Sequence, residues 1–237
     1  KLKMITEYLK NLYKKIYIFH NLYLKNKVLI KKSFYSQNKE DIFVLNYFKK
    51  KNNGFYVDVG CHHPTRINNT YLLYKHGWRG VNIDMSKLSI DLFNILRKND
   101  VNIHSAVSTK NKKINYYTNK GLFLSASIIQ KKGDAKFKYK EQVSSKPLTV
   151  ILDKTIYKRK QIDFLSIDAE GADYEVLRSL NFKKYKPKLI CIEIWGDWKN
   201  QKKNLKIKKH KIYKYLVKKN YILVTNLAEN FIFKKVR

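Results

Sequence analysis

Five carboxylates stand at or just beyond the ends of apolar runs. They are Asp58 in Val57-Asp58-Val59-Gly60, Asp84 in Gly80-Val81-Asn82-Ile83-Asp84, Asp168 and Glu170 in Ile167-Asp168-Ala169-Glu170-Gly171, and Glu193 in Cys191-Ile192-Glu193-Ile194-Trp195. In an open parallel sheet, ligands sit beyond the carboxyl ends of the strands. Acids in these places therefore face one crevice if the apolar runs are neighbouring strands. Asp84 falls 24 positions after Gly60, where an acid can accept hydrogen bonds from both hydroxyls of a ribose. Glu193, within an apolar run, must be paired or functional, because an unpaired buried charge is too costly.

Gly60 follows the first run directly and lets the backbone approach a ligand closely. The chain continues Cys61-His62-His63-Pro64, so the GxGxxG turn that cradles a pyrophosphate is missing. That disfavours a nicotinamide or flavin cofactor. S-adenosylmethionine has no phosphate and needs fewer glycines; Asp58 would act near its amino group, directly or through water. His63, like its neighbour His62, could take a proton from an acceptor hydroxyl or serve as a structural donor. Plain helix capping is the competing role for Asp84 and Asp168. No HxH, HExxH or thiolate cluster points to zinc, and no metal is expected, although Asp168, Glu170 and Glu193 offer oxygen ligands of the kind Mg²⁺ takes.

The elements that must position these groups can be read from periodicity. Residues 1–32 form a basic amphipathic helix, with Leu2, Ile5, Leu9, Leu12, Ile16 and Phe19 at helical spacing and lysines between them. It is expected to pack on the catalytic domain; the alternative is a membrane-surface or partner-binding helix. A second helix, capped by Ser36 and favoured by Glu40 and Asp41, ends before Asn52-Asn53-Gly54. Strands follow at 55–60, 80–84 and 101–108, with helices at 70–76 (capped by Asn69, stopped by Gly77) and 88–97 between them. A strand at 114–118 and a polar loop at 121–138 interrupt the rhythm, and an insertion of that length usually carries function. Alternation resumes with a helix at 150–157, a strand at 162–167, a helix at 172–180, a strand at 189–194 and a helix at 207–219. Strands at 221–225 and 230–234 close the chain as a hairpin. The expected fold is α/β: a mostly parallel, Rossmann-like sheet with helices on both faces and a C-terminal antiparallel hairpin.

Five ordered pieces resemble the FkbM-type methyltransferase family. They are Tyr35-Ser36-Gln37-Asn38-Lys39-Glu40-Asp41, Gly54-Phe55-Tyr56-Val57-Asp58-Val59-Gly60-Cys61-His62-His63-Pro64, Asn69-Thr70 with Gly77-Trp78-Arg79-Gly80, Ile162-Asp163-Phe164-Leu165-Ser166-Ile167-Asp168-Ala169-Glu170-Gly171, and Lys186-Pro187-Lys188-Leu189-Ile190-Cys191-Ile192-Glu193. Cys61 stands where family members commonly have a smaller residue. The resemblance implies a class I methyltransferase fold, S-adenosylmethionine as donor, and O-methylation of sugars or other secreted metabolites. It places Gln37, Asp58, Gly60, Asp84 and Asp168 with the cofactor, and Asp168, Glu170 and His63 with catalysis. Segment 1–33 is then an N-terminal appendage, and 34–237 the methyltransferase domain with a substrate-side insertion at about 110–145.

Composition bounds the partners. Of 237 residues, 51 are Lys or Arg against 18 Asp or Glu, a formal net charge of +33. AT-rich codons account for much of the lysine, but not for the shortage of Glu. Such a field attracts polyanions or an anionic membrane surface through Lys-rich faces. The acceptor is expected to be a hydroxyl-bearing small molecule or glycan. An RNA ribose 2′-O-methyltransferase would use a Lys-Asp-Lys-Glu set, for which Lys39, Asp168 and Glu193 are available but no clear second Lys, Arg178 being the nearest substitute. Nucleic acid is therefore less favoured. A non-catalytic basic scaffold is disfavoured by the intact acid set. Cys61 and Cys191 read as buried, reduced thiols, and the location as cytoplasmic or membrane-peripheral. The Asn68-Asn69-Thr70 sequon reads as structural.

Overall fold

A computed structural model describes residues 2–24, 33–118, 139–196 and 207–236. The polar loop expected at 121–138 lies outside the described residues.

The main sheet has seven strands. In chain order they are β1 (Phe55–Val59), β2 (Arg79–Asp84), β3 (Val101–His104), β7 (Phe164–Ile167), β8 (Leu189–Glu193), β9 (Tyr221–Leu227) and β10 (Asn230–Lys235). Their order across the sheet is β3-β2-β1-β7-β8-β10-β9. β1 pairs in parallel with β2 (Val57 opposite Val81) and with β7 (Val57 opposite Leu165). β10 runs antiparallel to β8 and β9. Every residue of β1 and β7 is buried, as expected where helices cover both faces of a parallel sheet. The chain reverses sides at β1, so the switch point of the topology lies between β1 and β7, with Asp58 in β1, Asp168 and Glu170 just past β7, and Asp84 and Glu193 ending the neighbouring strands β2 and β8.

The covering helices are α2 (Glu40–Tyr47), α3 (Tyr71–Lys75), α4 (Lys87–Leu96), α5 (Leu148–Asp153), α6 (Asp173–Arg178), α7 (Phe182–Tyr185) and α8 (Lys211–Lys218). One core joins β1, β2, β7 and β8 to α5, α6 and α8. The other packs Val44, Leu45, Leu72, Leu73 and Trp78 on the opposite face.

Several expectations need correction. Asn69 does not cap α3; its amide donates to Ser166 Oγ (3.2 Å), while Asn68 Oδ1 accepts the Thr70 N–H (3.0 Å). Lys39, not Ser36, holds the N-cap position of α2, with left-handed backbone (φ 68°), but the Ser36 hydroxyl does accept the first-turn N–H of Asp41 (3.3 Å) and donates to Asp41 Oδ1 (2.6 Å). The strand expected at 101–108 divides at Ser105, whose N–H donates to Asp84 O (3.0 Å). Its second part, β4 (Ala106–Val107), joins β5 (Lys112–Thr118) and β6 (Tyr139–Lys146) in a separate three-stranded sheet. The insertion is thus partly a small sheet, and β6 was not foreseen because its alternation Tyr-Lys-Glu-Gln-Val-Ser-Ser-Lys carries almost no apolar signal.

The N-terminal helix, α1 (Leu2–Phe19), continues into a π-helical turn, His20–Leu24, and the rest of the helix expected over 1–32 lies outside the described residues. α1 does not pack its apolar stripe on the domain: Ile5, Leu9, Leu12 and Ile16 are all exposed. Among the described residues, no helix is long and apolar enough to cross a membrane.

Candidate cofactor and active site

The loop after β1 is built around Asp58. Its carboxylate is buried and accepts hydrogen bonds from Thr70 Oγ1 (2.8 Å) and Asn68 Nδ2 (3.2 Å). Asn68 also donates to Cys61 O (3.0 Å), which folds residues 61–70 back over the end of the strand. The sequon asparagine is therefore a buried structural group. Burial raises the Asp58 pKa, against the opposing hydrogen bond from Thr70 and the charge of Arg97.

Arg97, which the sequence did not single out, completes this arrangement. It is fully buried and donates to Asp100 Oδ2 (2.9 Å), Asn68 Oδ1 (3.1 Å) and Thr70 Oγ1 (3.1 Å), and to the Tyr56 hydroxyl. Its guanidinium also lies over the rings of Tyr74 (4.9 Å) and Phe93 (5.2 Å). Asp100 in turn accepts from Gly80 N (2.9 Å), Asn82 Nδ2 (3.0 Å) and the Tyr56 hydroxyl (2.5 Å). Arg97 and Asp100 are each paired and further hydrogen-bonded, the condition under which a buried ion pair is tolerated, while Asn82 Oδ1 beside them is buried without a hydrogen-bond partner.

Gly60 has φ +76°, and a Cβ there would lie 1.7 Å from the Asp168 carbonyl oxygen. The loops after β1 and β7 thus touch backbone to backbone, and only glycine fits. The glycine expected to clear space for a ligand is thus required by the packing of the two loops against each other.

Asp84 ends β2. Its Oδ2 accepts the His62 N–H (2.9 Å) and its Oδ1 the Ser86 N–H (2.7 Å). Two backbone donors hold the carboxylate in place and leave each oxygen a further lone pair for a ligand hydroxyl. Burial raises its pKa to about 6. Helix capping next door falls to Ser86, whose Oγ accepts the Ser89 N–H (3.3 Å), so Asp84 is not the cap.

The loop after β7 is shaped by Asp173, another residue the sequence did not reveal. Its carboxylate accepts the N–H groups of Ala169 (2.7 Å) and Gly171 (3.1 Å), while Glu170 and Gly171 both take left-handed backbone (φ 50° and 93°). α6 has no side-chain cap from Asp168, which is freed from the competing structural role. Burial, and then the charges of Glu193, Asp173, Glu170 and Asp58, hold the Asp168 carboxyl well above its usual range. Glu193 is raised to about 7 by burial and by Asp173, against a hydrogen bond from Trp195 Nε1 to its Oε2 (2.5 Å). Asp168 and Glu193 therefore share one acidic corner.

His63 is buried, and its Nδ1 accepts the Thr65 N–H (3.2 Å). Its neighbour His62 has its pKa lowered to about 4 by burial and the nearby Arg66 charge. Gln37 is exposed between two anchored residues: Ser36 is held by Asp41, and the Asn38 N–H by Glu40 Oε2 (2.7 Å). Glu40 also accepts from Asn230 Nδ2 (2.7 Å), so both acids at the start of α2 are buried braces for the loop that carries Gln37. Cys61 and Cys191 are free and buried, and burial pushes both thiols well above the ordinary range. Among the described residues, no group of three or more His, Cys, Asp or Glu could hold a metal ion.

No match is found among curated proteins. Similar solved structures include the O-methyltransferase from Bacillus cereus in complex with SAH, at 11% identity, covering 93% of this chain and 90% of that one with a TM-score of 0.47. Another is a TehB-like SAM-dependent methyltransferase from Corynebacterium glutamicum, at 10% identity, covering 95% and 100% with a TM-score of 0.46. The family model for the methyltransferase FkbM domain matches residues 58–223, from the acid of β1 into β9 and across Gly60, Asp84, Asp168 and Glu193. The chain belongs to the FkbM methyltransferase family and is an S-adenosylmethionine-dependent methyltransferase.

Proposed function

We propose that this enzyme methylates a hydroxyl oxygen of a sugar, glycan or related metabolite. The observation that supports it most is the acidic corner of Asp168 and Glu193, whose carboxyls are held above their usual range at the switch point. A carboxylate with a raised pKa accepts a proton more readily near neutrality, as oxygen methylation requires. When bound, S-adenosylmethionine supplies a methyl group on a positively charged sulfur.

In this reading Asp84, pointed by the His62 and Ser86 N–H groups, accepts the ribose hydroxyls. Gly60 lets the loops after β1 and β7 close on each other, Asp58 sets the loop beside it, and Gln37 presents its amide at the rim. Asp168 receives the acceptor's proton at a carboxylate oxygen, with Glu170 beside it. His63 is less suited to that role. Its Nδ1 is used by Thr65, which assigns the ring proton of the neutral tautomer to Nε2.

The RNA reading is weaker on the same geometry. Arg178, the substitute for a second lysine, faces Glu175 (3.7 Å) and lies over Tyr174 (5.7 Å). Lys39 lies over the Phe34 ring (5.7 Å). An acidic corner without those cations repels a phosphate backbone.

The test is transfer of labelled methyl from S-adenosylmethionine across a panel of glycans and RNA. We expect label in a glycan as an alkali-stable ether. Asp168→Asn should slow single-turnover transfer by about a hundredfold or more, the usual contribution of a general base, with cofactor affinity nearly unchanged. Label on RNA ribose would overturn the acceptor class. Near-normal turnover in Asp168→Asn, with loss in Glu170→Gln or His63→Ala, would move the base elsewhere.

A further inference from the structure

The first helix leaves a broad apolar surface uncovered. Ile5, Tyr8, Leu9, Tyr13, Ile16 and Phe19 are each more than half exposed, and Leu12 is 42% exposed. Helical periodicity gathers them into one arc of about 140°. The opposite side makes the attachment to the domain. Tyr17 and Ile18 are half-buried, Asn21 and Leu22 are buried, and Arg66 Nη2 donates to Asn21 Oδ1 (3.3 Å). The stripe therefore points away from the domain by construction of the helix.

Charge decides between occupants. By helical spacing, sequence positions 3, 10 and 14, all lysines, fall on the side opposite the apolar arc, Lys15 stands at the edge of the arc, and Glu7 is the one acid of α1. A second copy of this chain would bring like charges together on a molecule already carrying +33. Nucleic acid would meet the lysines but leave the apolar arc wet. An anionic bilayer fits the arc and the charge together: apolar side chains enter the acyl boundary, Tyr8 and Tyr13 at the two edges of the arc sit at the headgroup level, Lys15 at its rim meets anionic headgroups, and the net charge of +33 draws the whole chain to the surface.

We infer that α1 is a docking surface for an anionic lipid membrane, on which it lies in the plane of the interface. The full chain should co-sediment with vesicles of phosphatidylcholine mixed with phosphatidylglycerol, and much less with phosphatidylcholine alone. Leu12→Gln with Ile16→Gln should lower binding to the anionic vesicles at least about tenfold, because the apolar face supplies insertion. The same variant should keep wild-type affinity for S-adenosylmethionine, which shows that the domain is intact. Equal binding by variant and wild type, or equal binding to neutral vesicles, would overturn the proposal. So would absence of vesicle binding together with self-association that the variant abolishes, which would assign the stripe to a second copy.

Discussion

At the scale of single residues, the site is organised by acids that the fold holds partly against their preference for water. Glu193 is the clearest case, with its pKa raised from 4.5 to about 7 by burial and by Asp173. A raised folded-state pKa means that the native protein binds the proton more tightly than the unfolded chain does. The associated stability is present below the unfolded value of 4.5 and is lost as pH rises through about 7. Glu193→Gln removes the charge and keeps an oxygen to accept from Trp195. We expect the variant's gain in melting temperature over wild type, without cofactor, to be larger at pH 8 than at pH 5. An equal difference at both pH values would mean that Glu193 is not held in a destabilised charged state. Such tension at a site is common where a charged ligand later relieves it.

At the scale of elements, much was legible because the central strands declare themselves. Phe55-Tyr56-Val57-Asp58-Val59 and Leu189-Ile190-Cys191-Ile192 are continuous apolar runs interrupted only by their acids. The same pattern put Asp58, Asp84, Asp168 and Glu193 at strand ends before any coordinates. What stayed hidden was decided by tertiary contact. The sequence Leu96-Arg97-Lys98 looks like an ordinary basic helix end, yet only Arg97 of the two cations turns inward. Nothing local distinguishes Asp173 from Glu175, though only Asp173 closes on the loop before it. The turn of the third strand at Ser105 depends on its bond to Asp84 O, which joins β2 to the second sheet. The joint between α4 and the loop after β1 rests on Arg97. Its replacement by methionine leaves Asp100 and Asp58 without their cation, a loss of about 3–5 kcal/mol for a broken buried pair. Chemical denaturation should show that loss, and a change under about 1 kcal/mol would mean that the network is not a structural joint.

At the scale of the whole molecule, charge is divided. A chain of +33 gathers Asp58, Asp84, Asp168, Asp173 and Glu193 around one end of one sheet. The acidic crevice favours a cationic donor, while the basic exterior favours anionic surfaces. The exposed stripe of α1 and the crevice are separate features, so loss of one leaves the other measurable. The central claim is that the crevice at the carboxyl ends of β1, β2 and β7 takes S-adenosylmethionine, with Asp84 as its ribose acceptor. Calorimetric titration of S-adenosylmethionine into the full chain and into Asp84→Ala tests it most directly. We expect a single site in the wild type and affinity lower by about 1.5–3 kcal/mol in the variant, the cost of losing hydrogen bonds to a charged group. That is about tenfold to about 150-fold in dissociation constant. Unchanged affinity in a variant that is folded by circular dichroism would contradict the placement of the cofactor in this crevice.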